Sequence, residues 1–517
     1  MKKTLILWVD DEIDLLRPHI LFLQDKGYEV VTVTNGNDAV SQVRDRAFDL
    51  IFLDENMPGL SGLETLSRIK TLRPDVPVVM ITKSEEENIM DQAIGSKIAD
   101  YLIKPVNPNQ ILLSIKKHTQ TRELVSQKTT RDYQAEFSNI SLRINSARNF
   151  DDWCDIYRKL VYWELELEAS ASAEMEEILL FQKNEANREF AKYVSQNYLG
   201  WFDEKNDGKP LLSPSVMKNT IFPLLDKGEK VVFIVIDNLR LDQWQVIYQL
   251  VKDYLTVVND ELYCSILPTA TQFARNALFS GLMPLEIGQL VPDLWISEEE
   301  EESKNQYEEE LLRRQLNRAG KNAKTFYEKV NNLKAGRKLL EDIPSLLRND
   351  LVVLVYNFVD LLSHARTEME VIRELAVDEP AYRSLTLSWF QHSYLFDLIK
   401  ALAAHPVTFV ITTDHGSVRV ANPVKVVGDK KTSVNLRYKQ GRNLNYNPKE
   451  VFEIRQPARA HLPAAGVTSS YIFATGYDFL VYPNNYNYFV NYYRNTFQHG
   501  GISMEEMLIP LITLQPK

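Results

Sequence analysis

From Asn109 to Leu199 the chain contains neither glycine nor proline. So long a stretch without a helix breaker argues against any strand-and-turn scheme and commits the middle of the molecule to continuous helix. Apolar residues recur there at steps of three and four (Phe137, Ile140, Ile144, Trp153, Ile156, Leu160, Trp163, Leu167). Such helices have a face to bury, so they form a small bundle and not a free rod. Asp151-Asp152 after Asn149-Phe150 marks a helix start. No residues in this stretch have metal or nucleophile spacing. Its role is to couple its flanking segments, to carry a dimer face, or simply to connect.

The helical block divides 517 residues, too many for one core, into three segments: 1–120, 121–205 and 206–517. The second boundary falls before the turn cluster Asn206-Asp-Gly-Lys-Pro210. Hydrophobic content of 44% with 25% charged residues describes a soluble globular protein. A net charge of −11 argues against a nucleic-acid-binding surface over the whole molecule, though not against a local basic groove. Two cysteines, Cys154 and Cys264, are too few for a disulfide framework and fit a reducing compartment. The apolar run after Met1 stops at Asp10-Asp11-Glu12, and no later run is long enough to span a bilayer. The expectation is a cytoplasmic protein without membrane insertion.

In the first segment, Thr4–Val9, Glu29–Val33, Leu50–Leu53, Val76–Ile81 and Asp100–Leu102 read as strands separated by amphipathic helices, which implies a parallel sheet. Asp10 and Asp11 follow the first strand and Asp54 the third. Carboxylates crowded at one sheet edge repel unless a hard cation joins them, and Mg²⁺ with few protein ligands suits such a cluster. Thr82 ends the fourth strand, and Lys104 precedes Pro105 after the fifth. Through Val9-Asp-Asp-Glu12, Leu53-Asp-Glu-Asn-Met-Pro-Gly59, Ile81-Thr82 and Ile103-Lys-Pro105, the whole segment resembles the CheY-like, doubly wound receiver domain of two-component response regulators. The resemblance implies that Asp54 accepts phosphate from a cognate sensor histidine kinase. It further implies that Asp10, Asp11, Asp54 and the Asn56 carbonyl hold Mg²⁺, that Thr82 and Lys104 bind the phosphoryl oxygens, and that Tyr101 is the aromatic switch. Lys83 departs from the small residue usual in that family after the threonine.

In the third segment, Lys230–Ile236, Leu351–Tyr356 and Phe409–Thr412 are short β-branched runs that read as buried strands. Each is followed by potential metal ligands: Asp237, then Asp360 and His364, then Asp414 and His415. A four-residue step places Asp360 and His364 on one helix face. His499-Gly-Gly501 precedes Ser503-Met-Glu-Glu506, a capping-box pattern. Three of the eight histidines thus lie at strand or helix ends beside carboxylates or glycines. Between the first two strands lies Leu267-Pro-Thr-Ala-Thr271, where Thr269 or Thr271 is either a helix cap or a hydroxyl nucleophile activated by metal.

These motifs, from Val231 to Leu514, resemble the alkaline phosphatase superfamily and within it the PglZ domain. The resemblance implies an alkaline-phosphatase-like α/β domain in which one metal takes Asp237, Thr271, Asp414 and His415, and the other Asp360, His364 and His499. Zn²⁺ fits an aspartate and imidazole set without thiolate, with Mn²⁺ as the alternative. Thr271 would be the catalytic nucleophile, giving a phosphothreonine that is then hydrolysed; Asn276 and Arg240 are candidate phosphate contacts.

The absence of a second basic cluster favours a phosphodiester, such as a nucleotide or oligonucleotide, over a monoester. Lys425–Arg442, with Lys430, Lys431, Arg437, Tyr438, Lys439 and Arg442, reads either as a surface for a polyanionic substrate or as a solvated hairpin. The run Glu298–Glu302 reads as an exposed loop or a partner-docking patch. The expected fold is therefore multidomain α/β: a receiver, an all-α helical linker bundle and a phosphatase-like domain. In this order the three resemble response regulators tied to type IX secretion, which implies homodimerisation on phosphorylation and partners among secretion components and a sigma-type transcription factor. The rival reading is a non-catalytic, phosphorylation-switched adaptor; a DNA-binding regulator stands third, because no basic helix-turn-helix follows the receiver.

Overall fold

The computed structural model describes residues 4–83, 98–170, 173–203, 206, 208–296, 305–428, 432–464, 466 and 468–517. Its chain forms two compact units: Met1–Gln134 with Ala169–Ser172, and Ala135–Glu168 with Ala173–Lys517. In the first unit β1 (Leu5–Val9), β2 (Glu29–Val33), β3 (Leu50–Asp54), β4 (Val78–Thr82) and β5 (Asp100–Ile103) form a sheet of order β2-β1-β3-β4-β5. All four pairings are parallel. Alternate residues of the central strands feed two cores, Leu7, Val9, Ile51 and Leu53 on one face and Ile6, Trp8, Leu50 and Phe52 on the other. That is why β1 and β3 read as continuous apolar runs. The helix Gly62–Leu72 starts with a capping box between Ser61 and Glu64. A Cβ on Gly62 would lie 2.5 Å from the Asp54 carbonyl oxygen, so only glycine lets this helix approach the end of β3.

The second unit is built on a six-stranded sheet containing β6 (Val231–Ile236), β7 (Leu255–Cys264), β8 (Thr325–Val330), β9 (Leu351–Tyr356), β10 (Thr408–Thr412) and the C-terminal strand Leu508–Pro516. The run β10-β6-β9-β8 is parallel. The C-terminal strand pairs antiparallel with β10 and with β7. Register places Leu508 opposite Cys264 and Leu511 opposite Thr412. The start of the last strand and the ends of β6, β7, β9 and β10 therefore share one edge. This edge is where ligands gather in parallel α/β sheets.

The glycine-free middle is helical as its composition requires: Thr121–Ser146, Phe150–Ser170 and Ala173–Asn197. Asn149 caps the second of these by accepting from the Asp152 amide at 2.9 Å. The expected aromatic packing is present, with Trp153 against Phe190 and Tyr193 at 5.5 and 6.1 Å between ring centroids. From Ala135 onward, apart from Ala169–Ser172, these helices belong to the same compact unit as the large sheet. A largely buried ionic network explains why they do not stand apart. Arg383 donates to Glu164 at 2.7 Å, Glu168 at 2.5 Å and Asp242 at 2.8 Å. Lys183 donates to Glu164 at 2.6 Å, and Arg240 reaches Asp242 at 2.6 Å and Glu379 at 2.5 Å.

Arg383→Met removes one of the two cations serving each of Glu164 and Asp242, and urea unfolding at pH 7 is expected to show a loss of about 3 kcal/mol. Burial raises the Glu164 carboxyl, but Lys183 and Arg383 outweigh it and hold it at about 2. With an unfolded value of roughly 4.3, its contribution is fully present above that pH and is lost as pH falls toward 2. Melts of parent and Glu164→Gln between pH 5 and 3 should therefore converge.

Candidate active site and phosphoacceptor site

At the edge of the first sheet, Asp10, Asp11 and Asp54 each offer an oxygen within 4.8 Å of the others. Asp10 and Asp54 are buried, whereas Asp11 and Asn56 face solvent. Lys104 lies 2.8 Å from Asp10 and 3.0 Å from Asp54. Burial raises the Asp54 carboxyl above the ordinary range, and the Asp10 charge adds to this, against the Lys104 hydrogen bond. Oδ1 of Asp54 is buried without a hydrogen-bond partner, so the cluster fits a hard divalent cation. Tyr101 is partly exposed, and the Lys104-Pro105 bond is cis. Thr82 donates its hydroxyl to the carboxylate of Glu55, a contact that the sequence reading did not anticipate. Lys83 turns outward to Glu12 at 3.1 Å.

In the second unit all the proposed ligands converge. Asp237 leaves β6, Asp414 and His415 leave β10, and these three offer atoms within 4.8 Å of one another. Asp360, His364 and His499 form a second such group. Asp360 and His364 share one face of the helix Phe358–Glu368 that follows β9, with His364 Nε2 3.4 Å from Asp360. The His415 and His499 rings stack at 4.3 Å, which joins the two groups.

Thr271 is the first residue of the helix Thr271–Ser280, whose N-cap is Ala270. Neither threonine caps this helix. The Thr271 hydroxyl lies 3.1 Å from His415 Nε2, at a helix N-terminus suited to phosphate. Thr269 instead donates to the Gly501 carbonyl at 2.9 Å and accepts from the Gly500 amide at 3.0 Å, pinning the loop that carries His499. Glu506 of the capping pattern is buried, accepting from Arg437 at 2.6 Å, the Gly501 amide at 2.9 Å and the Ser503 hydroxyl at 2.8 Å. A Cβ on Gly416 would sit 2.0 Å from the Glu505 carbonyl oxygen, so the turn after His415 can pack there only as glycine.

Burial raises Asp237 well above the ordinary carboxylate range, opposed by Arg275 and reinforced by Asp414 and Asp360. Burial also raises Asp414. Burial lowers His415, and it holds His499 at about 3 with help from the neighbouring His415, so the interior disfavours the charged form of both imidazoles. Asp360 is lowered: burial pushes it up, but the hydrogen bond from His364 and the surrounding histidines outweigh that. Asp237 Oδ1 and Asp414 Oδ2 are buried acceptors with no hydrogen-bond partner. Unsatisfied carboxylate oxygens beside neutral imidazoles fit Zn²⁺ or Mn²⁺.

Two expectations need correction. Arg240 is not available for phosphate: its guanidinium is buried on Asp242 and Glu379 and packed over Tyr382 and Phe497. Within Lys425–Arg442, Arg437 is fully buried on Glu506 and the Asp478 carbonyl. Lys439 is buried over the Tyr482 ring. Neither residue faces a polyanion. Lys430, Lys431 and Glu298–Glu302 lie outside the described residues. Asn276 is buried on the Thr271 helix. The residue that sequence reading missed is Arg275, which donates to Asp237 at 2.6 Å and to Asn357 at 2.9 Å. Its signal was its place four residues after Thr271, one helical turn along.

Three family models match the chain. Residues 6–116 match the response regulator receiver domain, 123–202 the PorX response regulator linker domain, and 216–514 the BREX system PglZ alkaline phosphatase-like domain. The last of these spans more than half of the molecule. The chain belongs to the PglZ family, as a PorX-type response regulator. Curated relatives match over about a quarter of the chain. The transcriptional regulatory protein ZraR of Klebsiella oxytoca is 33% identical over 26% of this chain and 30% of its own length. ResD of Bacillus subtilis is 32% identical over 22% of this chain and 47% of its own. The chain thus spans less than half the length of these relatives. Among solved structures, a CheY-like receiver from Methanospirillum hungatei is 27% identical, covering 24% of this chain and 98% of that one with a TM-score of 0.23. The NtrX receiver from Brucella abortus is 34% identical, covering 22% and 98% with a TM-score of 0.22.

Gly416→Ala is expected to destabilise the chain by about 3 kcal/mol, because backbone must move to admit the methyl group. Thr271→Ala, at a half-buried position, should change stability by no more than about 0.5 kcal/mol. Thermal denaturation of the two variants checks both values.

Proposed function

We propose that the chain is a response regulator phosphorylated on Asp54 by a sensor histidine kinase, with a zinc-dependent phosphodiesterase effector that acts on nucleotide or oligonucleotide diesters. The observation that carries this reading is the Thr271 hydroxyl, 3.1 Å from His415 Nε2 at a helix N-terminus, beside two stacked ligand groups on one sheet edge. Asp237, Asp414 and His415 would hold one zinc with Thr271, and Asp360, His364 and His499 the other. When bound, two such ions supply charge stabilisation for the entering and leaving oxygens of a phosphoryl transfer.

The chain's own residues then define the sequence of events. The N-terminus of the Thr271 helix would orient the phosphate through its positive dipole end. Thr271 Oγ1 loses its proton and forms the new bond to phosphorus while the opposite ester oxygen departs and takes up a proton through solvent, leaving Thr271 joined to the phosphate that still carries its second ester group. Water displaces Thr271 in a second step, so configuration at phosphorus is retained. A diester fits better than a monoester, since Arg275 and Arg240 are both held by carboxylates and do not offer a cation for the additional charge.

Regulation has a physical route within the second unit. Asn187 of the helix Ala173–Asn197 accepts from the Met504 amide at 2.8 Å and donates to Glu505 at 2.9 Å. The spacer therefore holds the segment just after His499. Phosphorylation of Asp54 would act by favouring one of two receiver surfaces, with homodimerisation as its readout. The PorX linker match supports a place in type IX secretion, with secretion components and a sigma-type factor as partners.

Thr271→Ala and zinc chelation should each abolish hydrolysis of a chromogenic phosphodiester, by about a thousandfold or more. Equal turnover by Thr271→Ala and parent would favour the adaptor reading instead. With beryllofluoride as phosphoryl mimic, Asn187→Ala should keep the parent's change in oligomeric state, measured by light scattering, but lose the accompanying change in turnover.

A further inference from the structure

We infer that Arg275 is a positioning residue that fixes the Asp237–Asp414–His415 group for its metal and ties the Thr271 helix to it; this rests on the zinc reading above. Arg275 lies one helical turn from Thr271 and is completely buried. Its Nη2 takes Asp237 Oδ2 at 2.6 Å and its Nη1 takes Asn357 Oδ1 at 2.9 Å. Its Nε lies 3.5 Å from Asp414 Oδ2 and 3.2 Å from Glu308. One planar cation thus touches the segments after β6, β9 and β10, a fork that lysine does not reproduce.

The consequence for Asp237 is geometric. One carboxylate oxygen is engaged behind the site, and the other, Oδ1, is left without a hydrogen-bond partner 3.7 Å from His415 Nε2. A carboxylate held in this way offers a single oxygen, which suits a four-coordinate ion rather than a larger cation that takes both oxygens. Glu308 is the counter-charge that keeps the buried guanidinium in place, itself held by Tyr327 at 2.5 Å and Lys329 at 3.3 Å. Partners behind metal ligands orient them and tune affinity.

The test is zinc titration of the full chain by calorimetry, with the bound metal counted after dialysis. The parent should bind two ions per chain. Arg275→Lys keeps the charge but loses the fork. Arg275→Met combined with Glu308→Gln removes the guanidinium and the Glu308 charge together, so that only the metal-site carboxylates Asp237 and Asp414 lose their cation. With the parental circular dichroism retained, one of the two sites should weaken by about 10-fold in the lysine variant and by about 100-fold in the double variant. At saturating diester, kcat should fall in the same order while KM changes little. If either folded variant binds two ions with parental affinity, the assignment of Arg275 is overturned. A parent that binds no zinc overturns the metal reading itself, and this is seen before any variant is made.

Discussion

The parallel run β10-β6-β9 is the constraint on which everything else in the effector depends. Three neighbouring strands that point the same way must end at the same edge, and each of these ends in a carboxylate or leads to one within a few residues. Antiparallel pairing of the last strand brings the His499 loop to that edge as well, and β7 delivers Thr271 there. No single segment contains the site. The hydrogen-bond register of the sheet assembles it, and burial of apolar residues on the sheet maintains that register.

The same edge concentrates charge in a place with little water. Asp237, Asp414 and Asp360 repel one another inside the protein, and burial penalises each of them as an anion. The structure answers with one buried guanidinium, Arg275, and with two neutral imidazoles that leave lone pairs to offer. The receiver follows the same rule on a smaller scale, with Lys104 between Asp10 and Asp54. In both units the anionic centre is set at the carboxyl edge of a parallel sheet and partly neutralised by a side chain from a later segment.

How much of this was legible in the sequence depended on how local the cause was. Asp237, Asp360, His364, Asp414 and His415 stand within a few residues of short apolar strands, so composition and spacing alone singled them out. The strands that carry these residues were read to within a residue or two, whereas β7, β8 and the C-terminal strand of the same sheet were not read. The helical middle followed from the absence of helix breakers. What failed to show was pairing over long separations. Nothing near Arg240 reveals Glu379, and nothing near Arg437 reveals Glu506, so two buried structural arginines looked like candidates for phosphate or polyanion. Arg275 was hidden for the same reason, its partners being distributed over four distant segments. The packing of the spacer helices with the large sheet was likewise invisible, because it depends on Arg383, more than two hundred residues along the chain, meeting Glu164 and Glu168.

Glu505 has an unusual double attachment. Its carbonyl oxygen lies where a side chain on Gly416 would have to go, while its carboxylate accepts from Asn187 and lies 3.6 Å from Lys183. Main chain and side chain of one residue therefore serve different neighbours. A tilt of the spacer would travel through the side chain into the peptide unit and arrive at the His415 turn as a steric push, with no charge transferred and no ligand exchanged. Such a linkage works like a rigid strut, and its stiffness comes from the absence of a single methyl group.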